Sequence, residues 1–234
     1  MKYLLIVTNL LTLTLLTICV WRINKLTQPI EKPDPATYSY FSNPNYTEAC
    51  DLYTSYTGSK NIVMFGNSIC YRIQWNELLQ RNDMANRGIG ADITEGYLHR
   101  MESVLNLNPK ICFVEGGIND IAIGIPKENT IRNLNAILDT LNAHGVKAIL
   151  HTVFPVAKSY PDAALINEKV QAMNLDIQNL SNQKQVPLID LYPLLSESGL
   201  LKDEYAQSDG IHLTAKAYLI WKKEIEKILL SFGL

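Results

Sequence analysis

Apolar residues fall along this chain in three rhythms, and each predicts a different kind of element. The first is a continuous run. Residues 3–21, YLLIVTNLLTLTLLTICVW, carry no formal charge. At a rise of ~1.5 Å per residue, a helix of that length nearly spans a hydrocarbon core of roughly 30 Å. The second rhythm is a set of short runs at 61–65 (NIVMF), 111–114, 146–153 and 186–191. Each has the length and continuity of a buried parallel strand. Residues 84–88 form a fifth, more polar member. The third rhythm is helical. Pro126 opens a helix at a first-turn position, Ile131, Leu134, Leu138 and Leu141 share one face, and Gly145 follows the end. Ile166, Val170, Met173, Ile177 and Leu180 recur at spacings of four and three, and a last helix over about 214–231 carries Leu219, Ile225, Ile228 and Leu229. Strands alternating with helices predict a doubly wound, mostly parallel α/β sheet covered on both faces. In such sheets function collects at the carboxyl ends of the strands.

Punctuation divides the chain. Residues 27–59 are rich in Pro, Asn, Tyr, Ser and Thr, and Pro29, Pro33, Pro35 and Pro44 interrupt any long element. The organisation expected is a membrane anchor or signal segment at 1–26, a spacer at 27–59 whose last part can pack onto the domain, and a catalytic domain at 60–234. A cleaved signal peptide wants small residues before its cleavage point, and Thr17, Ile18, Cys19, Val20 and Trp21 offer no good pair. Cys19 as a lipidation site meets a bulky Ile18. An uncleaved single span with an extracytoplasmic domain, periplasmic or at the cell surface, is therefore the favoured reading; secretion is the alternative. Lys2 with the α-amine roughly balances Arg22 and Lys25, so charge leaves the orientation weakly specified.

Composition then narrows the partners. A chain of 234 residues with 47% hydrophobic and 19% charged residues suits one medium domain plus an appendage. A net charge of −2 gives no basic footprint for nucleic acid. The four cysteines, at 19, 50, 70 and 112, have neither Cys-x-x-Cys nor zinc spacing. Metal-ligand clusters and paired glycosidase carboxylates are not evident either, so the sequence calls for no metal or other cofactor.

Candidate chemistry lies at the strand ends. Ser68 follows the first strand near a helix start, where free backbone N–H groups favour negative charge. Alone it reads as a helix cap, since a serine hydroxyl is a poor nucleophile without a base. Of the four histidines, His144 sits at a helix end, His99 within a helix and His151 in a strand. His212 has Asp209 three residues earlier, with Gly210 between to allow a tight turn. A carboxylate so placed can hold one ring nitrogen and leave the other for Ser68. Asn119 follows the third strand after Gly116-Gly117. Its amide can donate to an oxyanion, as can the backbone N–H groups of Ser68 and Gly88. Each segment has an ordinary reading as turn chemistry; their convergence on one sheet edge favours the catalytic one. Arg87, Asp120 and Phe154, in Val153-Phe154-Pro155, are candidate pocket lining.

The blocks Gly66-Asn67-Ser68, Asn86-Arg87-Gly88-Ile89-Gly90-Ala91-Asp92, Gly117-Ile118-Asn119-Asp120 and Asp209-Gly210-Ile211-His212 resemble the SGNH or GDSL-type esterase superfamily. The second block is similar to the branch of platelet-activating-factor acetylhydrolase subunits and bacterial carbohydrate acetylesterases. The resemblance spans about 60–230. It implies a three-layer α/β/α fold with a flavodoxin-like, five-stranded parallel sheet. It implies Ser68 as nucleophile, His212 as base, Asp209 as its orienter, and Ser68, Gly88 and Asn119 as oxyanion donors. The activity implied is hydrolysis of a short ester, O-acetyl on a carbohydrate. The rivals are a lysophospholipase or thioesterase, an acyltransferase and a non-catalytic glycan-binding module. Asn67 departs from the acidic residue of the family pattern and removes a charge beside the nucleophile. An α/β-hydrolase elbow fits less well, because Cys70 replaces its last glycine and Ser68 follows the first strand rather than a later one.

Overall fold

The short apolar runs become the strands of one sheet in the computed structural model, which describes residues 13–23, 34–35, 37–56 and 58–234. β1 (Ile62–Gly66), β2 (Met84–Gly88), β3 (Ile111–Val114), β4 (Lys147–His151) and β5 (Leu188–Ile189) are all parallel, in the order β2-β1-β3-β4-β5. β1 and β3 are buried along their whole length, as their unbroken apolar sequence requires. β2 lies at an edge, which accommodates its polar Asn86 and Arg87. β5 is shorter than the run 186–191 predicts. Pro187 offers no N–H, and the Asp190 carboxylate accepts from Thr152 Oγ1 at 2.9 Å and Tyr192 N at 3.2 Å, turning the chain out of the ladder.

The principal helices are α1 (Pro44–Ser55), α2 (Ser68–Tyr71), α3 (Lys127–Ala143), α4 (Ala163–Lys184) and α5 (Ala215–Ser231). Pro126 is the residue before α3 rather than within it, and Gly145 beyond its end has φ +71°. α5 buries Ala217, Tyr218, Trp221, Ile225 and Leu229, while Leu219 is exposed, so the apolar face is rotated from the one the spacing implied.

Residues 34–234 form one compact unit, so the segment expected as a spacer contributes to it. Pro44 starts α1 instead of breaking an element, and the Asn43 side chain accepts from Asn45 N at 3.0 Å to cap it. Several hydrogen bonds fasten α1 to the domain. Asn43 Nδ2 donates to Gly90 O at 2.8 Å, Tyr46 Oη to Gly96 O at 3.0 Å, and Tyr53 Oη to Gly88 O at 2.6 Å. Residues 1–33 form a separate unit, in which 13–23 are helical with exposed apolar side chains. The remainder of the expected anchor, 1–12 and 24–26, lies outside the described residues. Among the described residues no helix is long and apolar enough to cross a membrane.

The core continues from the sheet into α5 through Trp221. Its ring meets Trp75 at 4.8 Å and Phe154 at 4.9 Å between centroids, and its Nε1 donates to His151 Nε2 at 2.9 Å. Because Nε2 accepts, the His151 proton sits on Nδ1, which donates to Val114 O at 3.1 Å. Burial pushes the His151 ring down to about 4, so it is a neutral core group. We expect Trp221→Ala to lower the unfolding free energy by about 3–5 kcal/mol, read from a urea titration. A loss below about 1 kcal/mol would mean that the α5 contact with the sheet is replaceable.

Candidate active site

Three side chains from two distant segments meet beyond the carboxyl end of β1. Ser68 opens α2, and its Oγ lies 2.9 Å from His212 Nε2. His212 Nδ1 lies 2.7 Å from Asp209 Oδ2. A carboxylate accepts, so the proton belongs on Nδ1, and Nε2 is left to accept from Ser68. The other Asp209 oxygen accepts the backbone N–H groups of Ile211 at 3.1 Å and His212 at 3.0 Å, which folds the Asp-Gly turn around its own carboxylate. Partial burial opposes the ionised form of Asp209, but the His212 and Ile211 hydrogen bonds outweigh it and hold the carboxyl at about 2. The orienting charge is therefore present throughout the neutral range.

A four-residue helix holds few of its own bonds, so α2 is fixed from outside. Tyr218 Oη on α5 donates to Ile69 O at 2.6 Å, and Trp75 Nε1 and Asn86 Nδ2 each donate to Cys70 O at 2.9 Å. Cys70, two residues beyond Ser68, is fully buried, and burial raises its thiol well above the ordinary range.

Beside Ser68 and His212 opens a cavity of about 580 Å³. Asn119 reaches it from the turn after β3, where Gly117 has φ +117°. One Nδ2 proton of Asn119 goes to Asp92 O at 2.8 Å, which aims the amide and leaves its second proton unspent. Gly90 and Ala91 line the same cavity, and neither N–H has an acceptor among the described residues. Ala91 sits at φ +59°, a left-handed conformation that costs a residue with a side chain of order 1 kcal/mol.

Four sequence-based assignments move. Gly88, expected as an oxyanion donor, gives its N–H to Asn86 Oδ1 at 2.8 Å and does not line the cavity. It is glycine for space: a Cβ there would lie 2.4 Å from Tyr71 N and 2.9 Å from Asn67 O, against the turn that carries Ser68. The donors that reach the cavity come two and three residues later, at Gly90 and Ala91. Arg87, expected in the pocket, is buried behind it, donating to Ser103 O at 2.9 Å and stacking under Tyr53 at 4.6 Å. Asp120 is buried too, accepting from Thr94 Oγ1 at 2.5 Å and Thr130 Oγ1 at 3.1 Å. Phe154 belongs to the Trp221 cluster. Each had been placed by proximity to a strand end, which does not tell inward from outward side chains.

The buried Arg100–Asp92 pair and the buried Glu115 escaped the sequence reading. Arg100 donates to Asp92 Oδ2 at 2.7 Å, Arg87 O at 2.7 Å and Gly66 O at 2.9 Å. Flanked by His99, Glu102 and Ser103, Arg100 gave no signal of burial in the sequence. Glu115 Oε1 accepts from Asn67 Nδ2 at 3.1 Å, while Asn67 Oδ1 accepts Ile69 N at 2.8 Å. The Glu115 Oε2 has no hydrogen-bond partner of good geometry among the described residues, with the Cys70 thiol beside it. Asn67 is thus explained: an aspartate there would set carboxyl against carboxyl behind the nucleophile.

Burial pushes the Glu115 carboxyl up to about 7 from an ordinary value of 4.5, against the pull of Asn67. The folded chain keeps that proton over the interval in which the unfolded chain loses it. Its contribution to stability is therefore full below about 4.5 and lost as pH rises through about 7. Glu115→Gln should gain on the parent protein as pH rises across this window, and Asn67→Asp should lose ground over the same range. Paired urea titrations at each pH measure both differences; parallel stability curves for all three proteins would refute the buried titration.

Residues 65–220 match the GDSL-like lipase/acylhydrolase family. The chain is 28% identical over 120 residues to an N-acylneuraminate cytidylyltransferase of Streptococcus agalactiae serotype V, across 51% of this chain and 28% of that protein. It thus spans little more than a quarter of that relative. It is 27% identical over 206 residues to an uncharacterized lipoprotein of Bacillus subtilis, YqeF, covering 68% of this chain and 85% of that one. A crystal structure of a GDSL-like lipase from Bacteroides thetaiotaomicron superposes with a TM-score of 0.71 at 24% identity, over 80% of this chain and 98% of that one, and so shares the fold. The match covers the turns that carry Ser68, Asn119 and His212, and the chain belongs to the GDSL-like lipase/acylhydrolase family.

Proposed function

We propose that this protein hydrolyses short acyl esters, O-acetyl groups on a carbohydrate, through an acyl-enzyme on Ser68. The observation that carries the reading is the single histidine bridging Ser68 and Asp209 at hydrogen-bond distance on both sides. Ser68 Oγ attacks the ester carbonyl as its proton passes to His212 Nε2, and Asp209 steadies the imidazolium. The developing oxyanion is met by the N–H groups of Ser68 and Ala91 and by the second Nδ2 proton of Asn119. His212 then returns the proton to the departing alcohol. It next takes a proton from water, which attacks the acyl-enzyme carbonyl and regenerates Ser68. The proton transfers use groups already at hydrogen-bond distance, and no step calls for a metal or organic cofactor.

The short acyl group follows from the resemblance of the Asn86–Asp92 block to acetylesterases. The sugar alcohol suits a cavity with both tyrosine faces and polar side chains. A tether at residues 1–26 would hold the catalytic unit at the outer surface of a membrane. The resemblance to a lipoprotein along 68% of this chain supports that placement.

Hydrolysis of p-nitrophenyl acetate, butyrate and octanoate by the full chain tests the reading. Ser68→Ala and His212→Ala should each reduce turnover by at least about 10³-fold, with thermal unfolding nearly unchanged. Asn119→Ala should reduce it by about 10²-fold. Rates should fall from acetate to octanoate. A rise with chain length would replace the acetyl reading by a lipid one, and substantial turnover by His212→Ala would remove the base.

A further inference from the structure

The family match begins at residue 65, yet one wall of the cavity is built by residues before it. Asn45, Glu48, Leu52, Tyr53 and Tyr56 all line it. Their steps of three, four, one and three repeat the helical period, so they form a single stripe running the length of α1 and just past its end. The stripe is rigidly mounted. Tyr46 and Tyr53 tie α1 to the backbone of Gly96 and Gly88, and the Arg87 guanidinium lies 4.6 Å from the Tyr53 ring and 5.7 Å from that of Tyr56. Opposite it, on the nucleophile's own turn, stand Tyr71 and Arg72.

We propose that this stripe, with Tyr71, is the subsite for the alcohol half of the substrate, and that the ring it accepts is a pyranose. The proposal rests on the esterase reading above and adds the element that selects the substrate. Leu52, Tyr56 and Tyr71 are 45%, 51% and 56% exposed, an uncovered apolar rim within reach of Ser68. Tyrosine faces are electron-rich and attract the C–H edge of a ring laid flat upon them. Between these faces are groups that want hydroxyls. The Glu48 carboxylate makes no hydrogen bond or ion pair among the described residues, and Asn45 Oδ1 accepts none there. Arg72 has only a loose contact with Asp209, at 3.8 Å. A polyhydroxylated ring satisfies both demands at once. A lipid chain would use the aromatic faces alone and leave the exposed Glu48 carboxylate and Arg72 guanidinium to water.

The stripe also explains a division of labour. Ser68, Ala91, Asn119 and His212 come from within the family match and serve any ester carbonyl. The choice of alcohol falls to a segment that sequence comparison with the family does not reach.

The test compares two acetyl esters with the full chain: p-nitrophenyl acetate, whose small planar leaving group makes little use of the wall, and a methyl hexopyranoside bearing one O-acetyl group. The quantity read is the ratio of kcat/KM for the glycoside to that for p-nitrophenyl acetate. Tyr56→Ala should lower this ratio about tenfold, through KM for the glycoside more than kcat. Glu48→Ala should lower it several-fold. Asp51→Ala, on the same helix outside the cavity, should keep the parent ratio. If the parent protein hydrolyses both esters while Tyr56→Ala and Glu48→Ala keep its ratio, the subsite is refuted and the esterase reading stands. If the variants instead lose discrimination for a lysophospholipid over p-nitrophenyl acetate, the wall serves lipid and the sugar assignment falls. If neither ester is hydrolysed in a Ser68-dependent way, the underlying reading fails, and this proposal with it.

Discussion

The geometry at the sheet edge depends on one buried cation. Arg100 spreads its guanidinium over the carbonyl of Gly66 at the end of β1, the carbonyl of Arg87 near the end of β2, and the carboxylate of Asp92 in the loop that follows. Gly66 leads directly to the turn of Ser68, and Asp92 offers its own carbonyl to the amide of Asn119. One side chain thereby registers three of the segments that converge on the cavity. A charge this deeply buried is costly unless it is paired and hydrogen-bonded. Here the planar fork of arginine finds carbonyls and a carboxylate in matching directions, which a lysine ammonium could not reproduce. The rings of Phe65 and Tyr97, at 4.4 and 5.0 Å, close around it.

Around that fixed edge, backbone and side chains divide the work. The Ser68 turn, the Ala91 loop and the His212 turn are held by bonds from more rigid neighbours. α2 is held by Tyr218, Trp75 and Asn86, the Ala91 loop by Arg100, and His212 by a carboxylate that also organises its own turn. Glycine at 88 lets the second strand lie against the nucleophile turn without a Cβ between them. Behind that turn, Asn67 and Glu115 form a neutral donor and a buried acceptor where two acids would repel. The departure from the family pattern at Asn67 and the acid at Glu115 are two halves of one contact.

Much of this was legible in the chain. Strand positions followed from apolar runs too long and continuous to be half-exposed, and the parallel sheet followed from their alternation with helices. The convergence of Ser68, Asn119, Asp209 and His212 followed from each lying just past a strand or in a tight turn. What failed was the orientation of individual side chains. Arg87, Asp120 and Phe154 sit where the reading put them along the chain, but they point into the protein instead of the cavity. Arg87 lies within β2 at the sheet edge, Asp120 in the short helix Ile118–Ile123 and Phe154 in a loop, and in each case packing decides which way the side chain turns.

The sequence by itself determined the parallel sheet and the family to which the chain belongs, because these rest on local periodicity and on residue type. Tertiary structure alone decided which backbone amides remain free at the cavity, why position 88 must lack a side chain, and that a proline-rich segment read as a spacer forms a cavity wall. Those properties depend on close approaches between segments far apart in the chain. Asn43 and Gly90 are 47 residues apart, and Ser68 and His212 are 144 apart. No spacing within either segment encodes such a distance; it is set only when the core brings them together.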